Sequence, residues 1–540
     1  MTVMRELFLG DEAVGIAAID AGISGVFSYP GTPATEILEF IRAQTAGNGQ
    51  VSSQWSANEK VAYEEAMGMS YAGKRSLVAM KHVGLNVAAD PFINSAITGA
   101  HGALVLAVAD DPGMHSSQNE QDSRYYAEFA QIPAFEPSNQ QEAYDMTREA
   151  FELSERLGLP VMIRLVTRLA HSRANVVRSE PSEVPSSVNV VPDPRDWTLL
   201  PVNARRRFRR LLDLQEELRE FSAGSPYNKL TLRGGKGIIA SGIAYNYVRE
   251  VIGPDSAQSV LKIGTYPIPV RLVRKLVDHC GEILVVEEGY PYIETRLNGL
   301  LGLPGKAIHG KRSGRLPMDG EMLADLVRAA LGMPALETPD VVEGLPGRPP
   351  ALCNGCPHCD SFKAILEATA RDDQAILFSD IGCYTLAALP PYNAVHSCVD
   401  MGSSISMAHG AAKAGVHPVL CTIGDSTFTH SGMTPLIGAA HADANMTVII
   451  LDNATVAMTG GQEVFVTGKG FLRLLKGLGV NEDHLIFIEP HPKNEKKNVE
   501  MLRREINHRG FSVVVASRPC IHIKRKITDA KPTATVSAPG

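Results

Sequence analysis

An α/β fold is predicted, with two three-layer α/β/α domains and a smaller α/β domain between them, and three observations carry that prediction. Short apolar runs alternate with amphipathic stretches of helical length. Two segments, one rich in Ser, Pro, Val and charge and one rich in Pro and Gly, interrupt the alternation. The motif-bearing turns follow directly on apolar runs, as ligand-binding turns do at the carboxyl ends of parallel strands.

At 540 residues the chain is too long for one hydrophobic core. Residues 25–29, 76–80, 103–108 and 160–165 read as strands of a first domain, 1–171, whose residues 1–10 read as the start of an amphipathic helix. Composition then shifts to Ser, Pro, Val and charge over 172–235, a linker expected to wrap over a neighbour, with a helical segment near 204–222. That segment holds Arg205, Arg206, Arg207, Arg209 and Arg210. Together with Leu211, Leu212, Leu214 and Leu218 and with Glu216, Glu217 and Glu220 they complete an amphipathic pattern, and so read as a solvated helix face.

Strands at 237–241 and 282–287, separated by a helix at 245–252 and a turn and helix at 267–280, define a smaller domain, 236–336. A Pro- and Gly-rich joint covers 337–350. The last domain, 351–526, has strands near 375–379, 418–423, 447–452 and 512–516. Residues 527–540, rich in Ala, Pro, Thr and Ser, are expected to be disordered. No internal repeat is visible.

A hydrophobic content of 44%, 21% charged residues and a net charge of −7 give no field that would gather nucleic acid. No apolar run approaches the roughly 20 residues of a membrane helix, and the first residues do not read as a secretion signal. A cytoplasmic protein with neither nucleic acid nor membrane as partner is expected. Of the eight cysteines, seven fall after residue 350. In a reducing compartment such clustering points to metal ligation or redox work.

Gly424-Asp425-Ser426 follows the apolar run at 419–423, and the run at 448–451 ends in Asp452-Asn453. Glycine lets a backbone approach a phosphate closely, and a helix start beside it offers N–H donors, so a diphosphate is the natural ligand. Asp425 can give a carboxylate oxygen to Mg²⁺, Asn453 its side-chain carbonyl and Thr455 a backbone carbonyl, the hard oxygen donors this ion takes. Each piece alone reads equally well as a tight turn or a helix cap. Their separation leaves room for one helix and one strand, as in the bipartite thiamine-diphosphate motif.

Gly-Asp-Ser-Thr-Phe-Thr-His-Ser-Gly at 424–432 and Leu-Asp-Asn-Ala-Thr-Val-Ala-Met-Thr-Gly-Gly-Gln at 451–462 resemble the large subunit of the indolepyruvate:ferredoxin oxidoreductases, within the 2-oxoacid:ferredoxin oxidoreductase superfamily. The likeness extends to Ser-Tyr-Pro-Gly-Thr-Pro at 28–33, to Met-Lys-His-Val-Gly-Leu-Asn-Val-Ala-Ala-Asp-Pro at 80–91 and to residues 109–124. It is weakest between 172 and 235. The resemblance implies a pyrimidine-binding first domain, a transketolase-C-terminal-like middle domain and a diphosphate-binding last domain. It also implies oxidative decarboxylation of a 2-oxo acid, an aryl pyruvate such as indolepyruvate, to an acyl-coenzyme A.

The same resemblance places the activating glutamate, which bonds the cofactor pyrimidine, at Glu59, with Glu64 and Glu65 as competitors on the same helical stretch. It places a substrate hydrogen bond at Thr32. Lys81 and His82 follow a strand where a cation can meet a substrate carboxylate, although neither maps onto a substrate residue of the family. Cys353, Cys356, Cys383 and Cys520 match the ligands of a proximal [4Fe-4S] cluster, four thiolates being the required number. Cys359 departs from the family, where Arg is usual, and zinc is the alternative metal. Implied partners are a small subunit bearing much of the coenzyme A and docking function, ferredoxin or another electron-carrier subunit, and a dimer of heterodimers.

Relatives usually continue into a ferredoxin-like module with two Cys-x-x-Cys-x-x-Cys-x-x-x-Cys-Pro runs. No such run follows Cys520, so a separate electron carrier is expected. Two other classes stay open at this point: a non-redox thiamine-dependent decarboxylase or carboligase, and a non-catalytic partner-binding subunit.

Overall fold

The computed structural model describes residues 5–47, 49, 51–182, 195–337, 344–345, 347, 349–370 and 375–523. The expectation for 527–540 lies outside them. The chain divides into two compact units, Met1–Asp340 and Val341–Gly540.

The first unit is built on a seven-stranded sheet. From edge to edge its strands are Thr265–Tyr266, Ala134–Phe135, Val161–Val166, Leu104–Asp110, Ser76–Lys81, Gly25–Ser28 and Ser52–Trp55. All neighbours are parallel except the first pair. The three central strands are buried along their whole length. Helices such as Gly10–Asp20 and Gln140–Leu157 cover the sheet, so these strands read as continuous apolar runs with no polar alternation.

A second sheet in the same unit has the order Ala307–His309, Glu282–Val286, Lys236–Ser241, Ser259–Ile263, Lys229–Thr231, with only the last strand antiparallel. Ser259–Ile263 escaped the sequence reading because Lys262 breaks its apolar run. That lysine is buried and its ammonium meets the Glu142 carboxylate. Thr265–Tyr266 then leaves the second sheet and adds the antiparallel edge strand to the first.

Much of the charge buried here is paired. Arg164 Nε donates to Asp110 at 2.7 Å and its Nη1 to Glu136, while Arg124 Nε donates to Asp122 at 2.9 Å and its Nη1 lies 3.0 Å from Glu287. Burial pushes the Glu287 and Glu288 carboxyls up to about 7. Backbone N–H groups of Ile293 and Glu294 bond the first, and that of Met322 the second.

Two expectations are corrected. Residues 5–9 are a strand, Arg5–Leu9, paired antiparallel with Arg173–Val177; the helix begins at Gly10. The strand forms because residues 173–177 offer it an edge, a long-range pairing that local periodicity does not report. The arginine cluster is only partly a solvated face, since Arg207 Nε donates to Ile97 O at 3.1 Å and Arg210 Nη2 to Leu157 O at 2.7 Å. These are the last carbonyls of the helices Ala89–Thr98 and Gln140–Leu157, which lack intrahelical partners and attract cations. The predicted helical segment is two helices, Pro201–Asp213 and Gln215–Gly224.

The second unit is one parallel sheet of six strands, ordered Ser397–Cys398, Ile376–Ser379, Val419–Gly424, Met446–Asp452, Phe511–Ser517, Leu485–Ile488. Along Met446–Asp452, Val448 and Ile450 enter one core with Phe428 and Phe471, while Ile449 and Leu451 enter the opposite core with Phe362 and Leu502. This alternation gives the unit its three layers.

Candidate active site

In the second unit, Gly424 lies in register with Leu451, so the turns that leave these two strands emerge side by side. Asp425 is 3% exposed; its carboxylate accepts the N–H of Ser426 at 2.8 Å and of Ala454 at 2.7 Å, which ties the two turns together. Asn453 Oδ1 accepts the N–H of Thr455 at 3.3 Å. Gly424 and Gly382 are both required by a ring: a Cβ at either would lie within 2.8 Å of Tyr384 Cε1.

Burial, with the neighbouring Asp452 carboxylate, pushes Asp425 up to about 8. Asp452 itself is held by Thr467 Oγ1, Gly468 N and Ser517 Oγ, each at 2.7 Å. A buried carboxylate beside a second one favours ionisation only when a cation joins it, so the donors here fit a hard divalent ion such as Mg²⁺.

Next to these turns a cavity of about 120 Å³ is lined by Cys353, Cys356, Cys383 and Cys520 together with His358 and Asn453. The four cysteines come from three places in the chain. Cys353 and Cys356 precede the helix Pro357–Thr369, Cys383 opens the 3₁₀ turn Cys383–Ala388, and Cys520 follows the last strand, its N–H donating to Asn453 O at 2.9 Å. Burial pushes the Cys356 thiol up to about 12 and the Cys383 thiol up to about 11, and neighbouring thiols add to both. Such thiols become good ligands once a cation neutralises them.

Among the described residues, no three cysteine sulfurs lie within 4.8 Å of one another. Four thiolates on one wall suit either a [4Fe-4S] cluster or a single tetrahedral zinc. Cys359 is not on the cavity wall; its Sγ points at Cys353 O, 3.8 Å away.

His358 is a participant that the sequence reading missed. Its Nε2 lies 3.4 Å from Asn453 Nδ2, and burial lowers it to about 4, so the ring is neutral and free to accept the amide proton and set the Asn453 carbonyl. The signal was present, as the residue next to Pro357 in Cys-x-x-Cys-Pro-His.

In the first unit, Glu59 opens the helix Glu59–Tyr71, capped by Asn58, whose side chain accepts Val61 N at 2.9 Å. Glu59 is 6% exposed and lies across Gly84: a Cβ there would stand 2.6 Å from Glu59 Oε1. Its competitors are occupied elsewhere, Glu64 in an exposed pair with Lys60 and Glu65 by Gln54 and Ser56.

Lys81, at the end of its strand, donates to Ser116 O at 2.6 Å, and Ser116 Oγ donates to Thr32 O at 3.4 Å. In the same turn as Thr32, a Cβ added at Gly31 would stand only 3.3 Å from Lys81 Cβ, so Thr32 and Lys81 share one neighbourhood. Burial lowers the Lys81 ammonium to about 8 against the attraction of Asp111. Asp111 fixes the loop by accepting Ser116 N at 2.8 Å, Ser117 Oγ at 2.6 Å and Thr167 Oγ1 at 2.7 Å. His82 Nε2 lies 3.2 Å from Asn119 O, which directs it to the loop.

Residues 16–196 match the family model described as pyruvate flavodoxin/ferredoxin oxidoreductase, thiamine diphosphate-binding, and residues 380–516 that of the C-terminal binding domain of thiamine pyrophosphate enzymes. A solved 2-oxoglutarate:ferredoxin oxidoreductase from Magnetococcus marinus shares the fold at 16% identity, with a TM-score of 0.50 over 61% of this chain and 65% of that one. Fold and paired binding domains thus define the catalytic subunit of a thiamine-diphosphate-dependent 2-oxoacid oxidoreductase. The indolepyruvate oxidoreductase subunit IorA of Archaeoglobus fulgidus is 39% identical over 96% of this chain and 86% of its own. That of Methanothermobacter thermautotrophicus is 39% identical over 95% and 86%. The chain belongs to this IorA family of indolepyruvate oxidoreductase subunits.

No described helix is long and apolar enough to cross a membrane.

Proposed function

We propose that the chain is the catalytic subunit of a coenzyme A-acylating oxidoreductase for aryl pyruvates such as indolepyruvate, passing electrons one at a time through a [4Fe-4S] cluster. In net terms a 2-oxo acid, coenzyme A and two oxidised one-electron carriers become acyl-coenzyme A, carbon dioxide, a proton and two reduced carriers. Thiamine diphosphate, when bound, supplies the carbon nucleophile that adds to the substrate carbonyl.

Asp425, the Asn453 side chain and the Thr455 carbonyl hold Mg²⁺, and Gly424 and Ser426 give the diphosphate its close approach. Glu59 bonds the pyrimidine ring and sets its protonation. Thr32 and Lys81 take the 2-oxo acid, the ammonium meeting its carboxylate. Cys353, Cys356, Cys383 and Cys520 hold the cluster, and the single observation that carries the redox reading is that all four line one cavity with Asn453. The solved neighbour, described with coenzyme A and succinyl-coenzyme A bound, supports coenzyme A as acyl acceptor. The subunit names of the relatives support a partner subunit, and the name of the solved neighbour, a 2-oxoglutarate:ferredoxin oxidoreductase, supports ferredoxin or a further subunit as acceptor.

The test is anaerobic reconstitution with the small subunit, followed by a panel of 2-oxo acids with coenzyme A and a viologen dye. Dye reduction fastest with indolepyruvate, together with iron and acid-labile sulfide near four each per chain, is the expected result. Decarboxylation without dye reduction would establish a non-redox thiamine enzyme.

A further inference from the structure

One buried carboxylate in the first unit has no hydrogen-bond donor to hold it. Asp11, in the first turn of the helix Gly10–Asp20, is fully buried, and neither carboxylate oxygen has a hydrogen-bond partner. Glu36, in the first turn of Thr35–Gln44, has a buried Oε2 that is likewise without a partner. His171, the last residue of Thr167–His171, places its Nε2 3.5 Å from Glu36 Oε1. One ligand atom from each of these three side chains lies within 4.8 Å of the other two.

The backbone is shaped to bring them together. A Cβ at Gly10 would stand 2.2 Å from Leu169 O and 2.8 Å from Leu169 C. Only glycine there lets the helix start pack directly on residues 169–170 and set Asp11 beside His171. A carboxyl buried without a donor is charged only when a cation joins it and otherwise keeps a proton, and burial beside Glu36 holds Asp11 well above the usual carboxylate range.

We propose that Asp11, Glu36 and His171 form a binding site for a divalent transition cation. Two carboxylates and one imidazole make a mixed oxygen and nitrogen set, which suits Mn²⁺, Fe²⁺ or Zn²⁺ better than the all-oxygen demands of Mg²⁺ or Ca²⁺. Three protein ligands leave the remaining positions to water, on the side where His171 reaches solvent. Neither the thiamine nor the cluster assignment uses these residues, so the binding site stands without that reading, while its task below rests on it.

Its place gives it a task. Glu36 is four residues beyond Thr32, and Thr35 Oγ1 accepts Gly31 N at 3.0 Å. On the other side, Thr167, at the start of the His171 helix, bonds Asp111, which fixes the Ser116 loop against Lys81. A cation here clamps both supports of the Thr32 and Lys81 neighbourhood.

The experiment is a Mn²⁺ titration of the full chain, already saturated with Mg²⁺ and thiamine diphosphate, followed by electron paramagnetic resonance. One further Mn²⁺ per chain is expected, showing nitrogen coupling, and His171→Ala should weaken it at least about tenfold and abolish the coupling. The His171 side chain reaches solvent, so this variant keeps its fold. Asp11→Asn should weaken the same ion. No further Mn²⁺ in the unaltered chain, or one that His171→Ala retains with full affinity, overturns the proposal. In that case Asp11 and Glu36 share a proton, and Asp11→Asn leaves the melting temperature unchanged or raises it.

Discussion

Two sets of buried charge, one in each unit, are held in opposite ways. In the first, Asp110, Asp122, Glu136 and Glu287 gather around Arg124 and Arg164, which bind them directly, while burial holds Glu287 up to about 7, so that guanidinium groups and protons together offset the set. In the second, Asp425 faces Asp452, and Cys356 and Cys383 face other thiols. The lesson is that burial alone does not mark a site. Burial among groups of like kind does, because such groups ionise only when something else arrives.

Arg164→Met tests the first set most severely. It strands Asp110 and Glu136 in the interior, and a loss of about 3–5 kcal/mol is expected in denaturant unfolding of the first unit. A loss below about 1 kcal/mol would erase the distinction between the two sets.

Asp425 tests the second set through pH. Its carboxyl is held up at about 8 against an ordinary 3.8, so the folded state binds more protons between those values. Stability of the cofactor-free chain should therefore fall as pH rises from about 4 to 8, by a few kcal/mol at most. Asp425→Asn should remove that slope while abolishing thiamine-dependent turnover, and Mg²⁺ with thiamine diphosphate should flatten it in the unaltered chain. An identical slope in the variant breaks the argument.

Lys81→Met sharpens the comparison within the first unit, where the buried Lys81 ammonium bonds the Ser116 carbonyl. The apparent KM for the 2-oxo acid should rise about tenfold to a hundredfold with kcat little changed, the mark of a uniform binding contact. Unchanged kinetics remove it from the substrate site. Cys359→Ser is the smallest expected effect: iron content unaltered and stability within about 0.5 kcal/mol.

The paired turns at Gly424 and Asn453 were legible because their residues are contiguous and follow strands whose apolar runs are continuous. Cys353, Cys356, Cys383 and Cys520 could be grouped only through a resemblance, because folding alone brings all four to one cavity. What stayed hidden depends on distant pairing. The strand Arg5–Leu9 needs residues 173–177, and Arg207 and Arg210 look solvated until the ends of two other helices meet them. His358 left only its place after Cys-x-x-Cys-Pro as a signal, because its burial and its contact with Asn453 arise on folding.

Tyr384 carries a consequence for how this sequence can vary. Its ring occupies the space that a side chain at residue 382 or 424 would need, so the three positions are epistatic. Alanine at 424 should be damaging beside tyrosine and better tolerated beside a small residue at 384. An evolutionary path through this turn must shed the ring before it can gain a methyl group.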